Sequence, residues 1–476
     1  MNRRFVTFLL LALTSLSCDR ERLFSTHSPE ALAFYEQGVQ LQMQFFYKEA
    51  LAKLDSAIAV DSTFAMAWGR LAALNMELRD EEKAGQLIAT AKRHAVEVTE
   101  REQLYIRLWD RMINFEYRRA AGIADSLIVL FPSESEPYLL KGHLYERMAQ
   151  LDSAIYFYRK SAAIDTANTR AVMSLGYAYS AAGDQNRAIE YMQRYLRLAP
   201  GLPDPHASFA DLLLRVGRYD EALEQYNRSL EYKPDYWYSL NQIGYIHGLL
   251  GRLREAEEYY RQGFSFLPGN PTTVSAIPTI VGDFEMRRGN YKKATESFLE
   301  ALSKDSLSYE AAYGLVIALS KQKKFAEADE VAQRIGYELE RRQLNGSPQM
   351  VGYHLMLARI LVEKQRYQAA REECDSALLV ASPLARTAVF RQLADISYHL
   401  RQIERGFLEC EESLSINPNS PSTLLILARL YNAKGDRRMT AEIGRRLLDL
   451  WKNADEDFQD LRDLRGLLVH SSSVPS

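Results

Sequence analysis

Small side chains, bulky apolar side chains and prolines recur along this chain at a common spacing. Ala50, Ala84, Ala120, Ala154, Ala188, Ala222, Ala256, Ala294, Ala328 and Ala370 stand 34, 36, 34, 34, 34, 34, 38, 34 and 42 residues apart. Twelve places before most of them is another small residue: Gly38, Ala72, Gly142, Gly176, Ala210, Gly244, Gly282 or Ala358. Four places after lies a bulky apolar group in Leu54, Tyr158, Met192, Tyr226, Tyr260 and Phe298, and twelve after, a proline in Pro132, Pro200, Pro234 and Pro268. The pattern predicts pairs of helices. Small residues on facing helices allow close approach, and a bulky group one turn further along the same face fills the groove beside them. Proline ends the second helix because it cannot donate the next backbone bond. Turns such as Ala182-Gly183-Asp184, Val216-Gly217-Arg218 and Arg288-Gly289-Asn290 separate the helices of a pair, glycine supplying the left-handed geometry of a helix end.

A helical pair with small, small, bulky and proline at these places, repeated at 34, resembles the tetratricopeptide repeat. Gly176, Tyr179, Ala188 and Pro200 form one of the cleaner copies. The resemblance covers about nine-tenths of the chain and implies an all-α, right-handed α-solenoid of about twelve helical hairpins over residues 31–452. A break is expected at 343–350, where Gln343-Leu344-Asn345-Gly346-Ser347-Pro348 accompanies the step of 42. Gly406 and Thr440 take the alanine position in the last two units. Residues 453–476 read as a polar capping helix, Asp455 to His470, and a disordered tail.

The first residues follow another pattern. Asn2-Arg3-Arg4 leads into the apolar run Phe5 to Leu13 and then Thr14-Ser15-Leu16-Ser17-Cys18. This is the layout of a secretory signal, and the run is too short to span a bilayer. With Asp19-Arg20-Glu21-Arg22 following, residues 1–18 resemble a bacterial lipoprotein signal, although Ser15 stands where that pattern has leucine. The resemblance implies lipidation of Cys18, a short linker at 19–30, and a protein tethered to an envelope membrane, inner or outer, facing the periplasm or the cell surface.

Composition changes this picture little. Hydrophobic residues at 47% and charged residues at 25% suit a folded chain, and the formal charge of −3 gives no global basic field for nucleic acid. Three cysteines in 476 residues argue against a disulfide framework. Cys374 and Cys410 share the bulky core position of adjacent units; an oxidising compartment would permit a bridge, but helix pairs often sit too far apart, and two buried free thiols are expected.

No two of the eight histidines are spaced as a helical metal pair, and no His-Glu-x-x-His, phosphate-binding glycine loop or Gly-x-Ser-x-Gly occurs. The sequence therefore predicts no enzyme, metal or cofactor, and a scaffold for protein or peptide partners. A glycan- or solute-binding surface lipoprotein, or a regulatory partner of a separately encoded effector, is the alternative. In the family the first helix of each unit lines the binding face. Carried over, that position implies a groove formed by His143, Met173, Tyr177, Asp211, Arg215, Tyr238, Asn241, Gln242 and Tyr245, tyrosine and arginine being frequent interface anchors. The paired Lys, Arg and Asn of the family's clamp for C-terminal carboxylates are not found.

Overall fold

The chain is described here by a computed structural model over residues 24–266, 271–306, 308–342 and 348–472. The signal-like segment 1–18 with Cys18, Pro268, most of the break expected at 343–350, and the end of the tail lie outside these residues. Among the described residues there are twenty-five helices and no strand. In chain order they are α1 (Pro29–Met43), α2 (Tyr47–Val60), α3 (Ala65–Glu77), α4 (Glu81–His94), α5 (Glu100–Ile113), α6 (Tyr117–Leu130), α7 (Ser135–Arg147), α8 (Leu151–Ile164), α9 (Thr169–Ala181), α10 (Gln185–Leu198), α11 (Pro203–Arg215), α12 (Tyr219–Tyr232) and α13 (Trp237–Leu249). They continue as α14 (Leu253–Ser265), α15 (Pro271–Arg288), α16 (Tyr291–Lys304), α17 (Tyr309–Lys321), α18 (Phe325–Arg341), α19 (Pro348–Glu363), α20 (Tyr367–Val380), α21 (Pro383–His399), α22 (Ile403–Leu414), α23 (Pro421–Lys434), α24 (Arg437–Leu450) and α25 (Gln459–Ser472). Odd helices are first and even helices second in twelve hairpins, and α25 stands alone. None is long and apolar enough to cross a membrane.

The spacing of small and bulky residues works sterically. Ala50, Ala154, Ala188, Ala222, Ala256 and Ala294 are completely buried. A methyl group at Gly176 would lie 2.8 Å from the end of Met192, and at Gly38 it would lie 2.7 Å from Leu54. The ring of Tyr158 lies directly against Gly142, and Phe298 fits between Gly282 and Gly314. Cys374 and Cys410 occupy that bulky slot as buried free thiols, and burial pushes both up to about 12.

The corner inside each hairpin is also uniform. A residue of positive φ lies five places before the aligned small residue in all twelve pairs: Phe45, Arg79, Phe115, Ala149, Gly183, Gly217, Gly251, Gly289, Lys323, Gln365, Arg401 and Gly435. The residue after it donates its amide back to a carbonyl five residues earlier, as Asp184 does to Tyr179 at 2.9 Å and Arg366 to Leu361 at 2.8 Å. This is a Schellman closure, which satisfies carbonyls that a helix end leaves open.

Two compact units divide the chain, the first ending at Ala171 and the second beginning at Val172. In the first unit, the chain entering from the N-terminal side is held on the hairpins. Phe24 packs edge-on to Tyr35 at 5.3 Å beneath Arg101, and Ser25 donates to Glu102 at 3.0 Å. Beside them Arg70 is buried with Glu136 at 2.6 Å and lies over Trp109.

In the second unit the C-terminal helices return to the middle. Asp455 donates its amide to Gly251 at 2.8 Å and accepts from the Arg254 amide at 2.9 Å. The Trp451 indole donates to Leu249 at 3.2 Å, and Tyr219 donates to Asn419 at 3.1 Å. Leu253, Tyr260 and Phe284 share one apolar core with Leu424, Leu447, Trp451, Phe458, Leu461 and Leu464. The sequence places a polar capping helix at Asp455 to His470. The helix runs instead from Gln459 to Ser472; Leu461 and Leu464 on it, with Phe458 just before it, are buried.

Candidate functional site

At three places in the second unit, a residue eleven places before the aligned small residue reaches a residue on the next first helix or on α25. Tyr177 donates to Asp211 at 2.8 Å, Arg359 pairs with Asp395 at 3.3 Å, and Arg429 with Asp463 at 3.0 Å. Most groove residues expected from the sequence gather around the first of these pairs.

Asp211, on α11, is buried and satisfied from three helices. Its Oδ2 accepts from Tyr177 on α9 and from Tyr238 on α13, both at 2.8 Å. Its Oδ1 accepts from Tyr226 of α12 and, at 3.4 Å, from Gln242, whose amide also donates to Tyr238 at 3.0 Å. Burial raises the Asp211 carboxyl above the usual range, against the lowering effect of these hydroxyls. One helical stretch away, Asp204 repeats the device, accepting from Tyr195 at 2.8 Å and Tyr236 at 2.9 Å, and burial raises it likewise. The surface is therefore set in place from below: each hydroxyl is committed to a carboxylate, and the rings of Tyr177 and Tyr238 are fixed. Arg215 lies over the Tyr177 ring at 5.2 Å.

The remaining expected residues fall in different places. Tyr245 is exposed, with Arg287 5.9 Å from its ring centre. Asn241 is nearly buried against Gly263, its carbonyl oxygen without a hydrogen-bond partner. Met173 is half-buried. His143, on α7, belongs to the first unit; it packs edge-on to Tyr158 at 5.3 Å, and burial together with Arg170 and Arg147 pulls it down to about 3. Asp204, Tyr195 and Tyr226 were not expected at the site from the sequence. One signal for them existed: a tyrosine in the bulky core slot, such as Tyr226, must find an acceptor for its hydroxyl.

Chemically this arrangement fixes a rigid, half-buried aromatic and amide surface. Its carboxylates already have donors, which suits recognition more than proton transfer. Among the described residues no group of three or more His, Cys, Asp or Glu is placed to hold a metal ion.

Comparison with known proteins follows the same lines. The family model described as anaphase-promoting complex, cyclosome, subunit 3 matches residues 147–229, and a tetratricopeptide-repeat model matches residues 208–271 and 282–336. A search of curated proteins found no match. Among solved structures, a human IFIT1 dimer with m7Gppp-AAAA is 15% identical, covering 90% of this chain and 91% of that one with a TM-score of 0.42. Yeast Tom70 is 14% identical, covering 93% and 96% with a TM-score of 0.38. MamA is 21% identical, covering 33% and 93% with a TM-score of 0.29. Likenesses this distant say nothing about what the present chain binds. The spacing of small and bulky residues, the twelve helical hairpins and the matched segments support a tetratricopeptide-repeat protein, and with it a protein–protein interaction scaffold.

Proposed function

We propose that the chain is a non-catalytic scaffold of a bacterial cell envelope, tethered through Cys18, that recognises partner proteins on the first-helix face of its second unit. The observation that carries the binding half is the Asp211 cluster. Tyr177, Tyr238 and Gln242 are held by one buried carboxylate before any partner arrives, so little ordering entropy opposes binding. Tyr245 stands exposed beside them with Arg287, and Arg215 covers Tyr177. Aromatic and arginine side chains on a rigid base are the common anchors of protein interfaces.

The tether rests on the order of cationic, apolar and small residues ending at Cys18. The structure adds a constraint to it. Phe24 is already held on the first unit, so the six steps from Cys18 reach at most about 20 Å, and the hairpins would lie close to the membrane surface.

Mass spectrometry of the intact, membrane-extracted protein tests the tether. An acylated Cys18 at the mature N-terminus is expected, and an unmodified N-terminus removes the tether. Affinity capture beside a variant carrying Arg215→Ala and Tyr245→Ala, which spares the Asp211 hydrogen bonds, tests the face. Partners retained in full by that variant place recognition elsewhere.

A further inference from the structure

We infer that the first unit carries a recognition site for an extended protein segment with an aromatic side chain followed by two hydroxyl side chains. The chain's own Phe24-Ser25-Thr26 fills this site as a strap, which such a segment displaces. That the displacing segment belongs to a partner protein rests on the scaffold reading; the fit of the strap does not. The site lies among Tyr35 of α1, Asp61 and Phe64 between α2 and α3, and Arg101 and Glu102 in the first turn of α5. None of these belongs to the Asp211 cluster.

The strap is held chiefly by its side chains. The half-buried Phe24 ring stands edge-on to Tyr35 at 5.3 Å and to Phe64 at 6.1 Å, with the Arg101 guanidinium 5.4 Å from its centre. Ser25 donates both its amide and its hydroxyl to Glu102 Oε1, each at 3.0 Å. Thr26 donates its hydroxyl to Asp61 Oδ2 at 2.6 Å. Among the described residues, no backbone-to-backbone hydrogen bond joins 24–27 to the hairpins. Nor does α1 need the strap in order to begin. Ser28 Oγ caps it, accepting from the Ala31 amide at 3.2 Å, and Pro29 is its first residue. A segment tied by one ring and a few side-chain contacts, with no share in a helix or its cap, can leave without unravelling a hairpin.

What the strap leaves behind defines the occupant. Its departure uncovers an aromatic notch and takes the donors from Glu102 Oε1 and Asp61 Oδ2. The second oxygen of each stays engaged, Glu102 Oε2 by the Thr99 amide at 3.0 Å and Asp61 Oδ1 by the Thr63 amide at 3.0 Å. Glu102 is completely buried beneath the strap, so a hydroxyl or amide donor is needed in its place. The nearby arginines are already paired, Arg101 with Glu134 and Arg70 with Glu136, both at 2.6 Å. A phosphorylated or acidic segment would therefore meet two carboxylates and no free arginine, and like charges repel it.

The test titrates the full chain into the end-capped peptide Leu-Phe-Ser-Thr-His-Ser, which copies residues 23–28, and reads the broadening of the peptide's phenyl proton resonances. In the wild-type chain the linked strap competes at an effective concentration on the order of millimolar. The triple variant Phe24→Ala, Ser25→Ala, Thr26→Ala removes that competitor and is expected to bind the peptide about tenfold or more tightly than the wild type. Adding Glu102→Gln to it, which keeps the capping box, should weaken the peptide about tenfold, as should phosphoserine at the peptide's first hydroxyl or alanine in place of its phenylalanine. Equal affinity in the wild-type chain and the triple variant, or for the phenylalanine and alanine peptides, overturns the site. A triple variant that loses its helical circular dichroism overturns the strap, since the segment would then be part of the fold. Failure of the scaffold reading has a different signature: neither chain captures a partner protein, while the peptide affinities keep their differences.

Discussion

Phe45, Arg79, Phe115, Ala149, Lys323, Gln365 and Arg401 hold the left-handed backbone of a hairpin corner although each carries a side chain. That geometry crowds Cβ against the backbone at a cost of roughly 1–2 kcal/mol. Ala149→Gly is therefore expected to raise the unfolding free energy by about 0.5–1 kcal/mol, part of the relief being offset by the greater freedom of glycine in the unfolded chain. A urea midpoint that stays or falls would contradict this. His143 makes a second prediction, with the opposite reading in pH. Its folded value is pulled from 6.5 to about 3, by burial first and then by Arg170 and Arg147. Between those values the unfolded chain takes up a proton that the folded chain refuses. Stability contributed by neutral His143 is thus fully present above pH 6.5 and falls on acidification, by up to about 1.4 kcal/mol per pH unit. Urea midpoints at pH 7 and pH 5, followed by fluorescence in a variant that keeps Trp109 as its one tryptophan, should converge in His143→Gln.

Within a hairpin, the pairing of a small residue with a bulky one decides how closely the helices pack, and the partner's stiffness decides what a change costs. Gly176 faces the flexible end of Met192, whereas Gly282 faces the Phe298 ring, which Gly314 confines from another helix. Alanine gains about 1 kcal/mol over glycine in a helix interior, while overpacking costs about 1–3 kcal/mol. Gly176→Ala should be near neutral because Met192 can swing aside, and Gly282→Ala should destabilise by about 1–2 kcal/mol. Calorimetric melting of both variants checks the difference, and equal melting temperatures would remove the role given to ring rigidity. This small-and-bulky code was legible in the sequence because it acts between residues of one hairpin, sixteen places apart or fewer. The corners were legible only where glycine marked them: at Arg79 or Gln365 the Schellman hydrogen bonds override the residue's own preference. For the candidate site, the family position carried over from the resemblance picked out Tyr177, Asp211, Tyr238 and Gln242, which meet in space. The full set of donors to the Asp211 carboxylate was hidden, because Tyr226 reaches it from a different helix. His143 and Tyr177 share a register position and yet fall in different compact units.

Across the molecule, the contacts that the repeat spacing does not announce are those closing the second unit on itself. They join residues about two hundred apart, beyond the reach of any local pattern. One trace of them exists in the sequence. Glycine fills the four consecutive corners Gly183, Gly217, Gly251 and Gly289, and each is met by a returning residue: Pro383, Asn417, Ala454 with Phe458, and Gln459. A methyl group on Gly251 would come within 2.6 Å of both Ala454 and Phe458, so the corner needs glycine for contact as well as for its φ of 74°. Phe458→Ala is expected to cost about 3–5 kcal/mol, as for other buried aromatic truncations. It should also weaken hydrogen-exchange protection along Leu253–Tyr260; loss confined to residues beyond 440 would show that the return is not energetically coupled to the middle. The closure also bears on how this protein is made. A simple stack of hairpins can fold behind the ribosome, each pair covered by the next, but the apolar side of Leu253, Tyr260 and Phe284 waits for Phe458 to be synthesised. At ordinary elongation rates that interval is roughly 10–40 s, during which the nascent chain offers an uncovered patch to chaperones or to its neighbours.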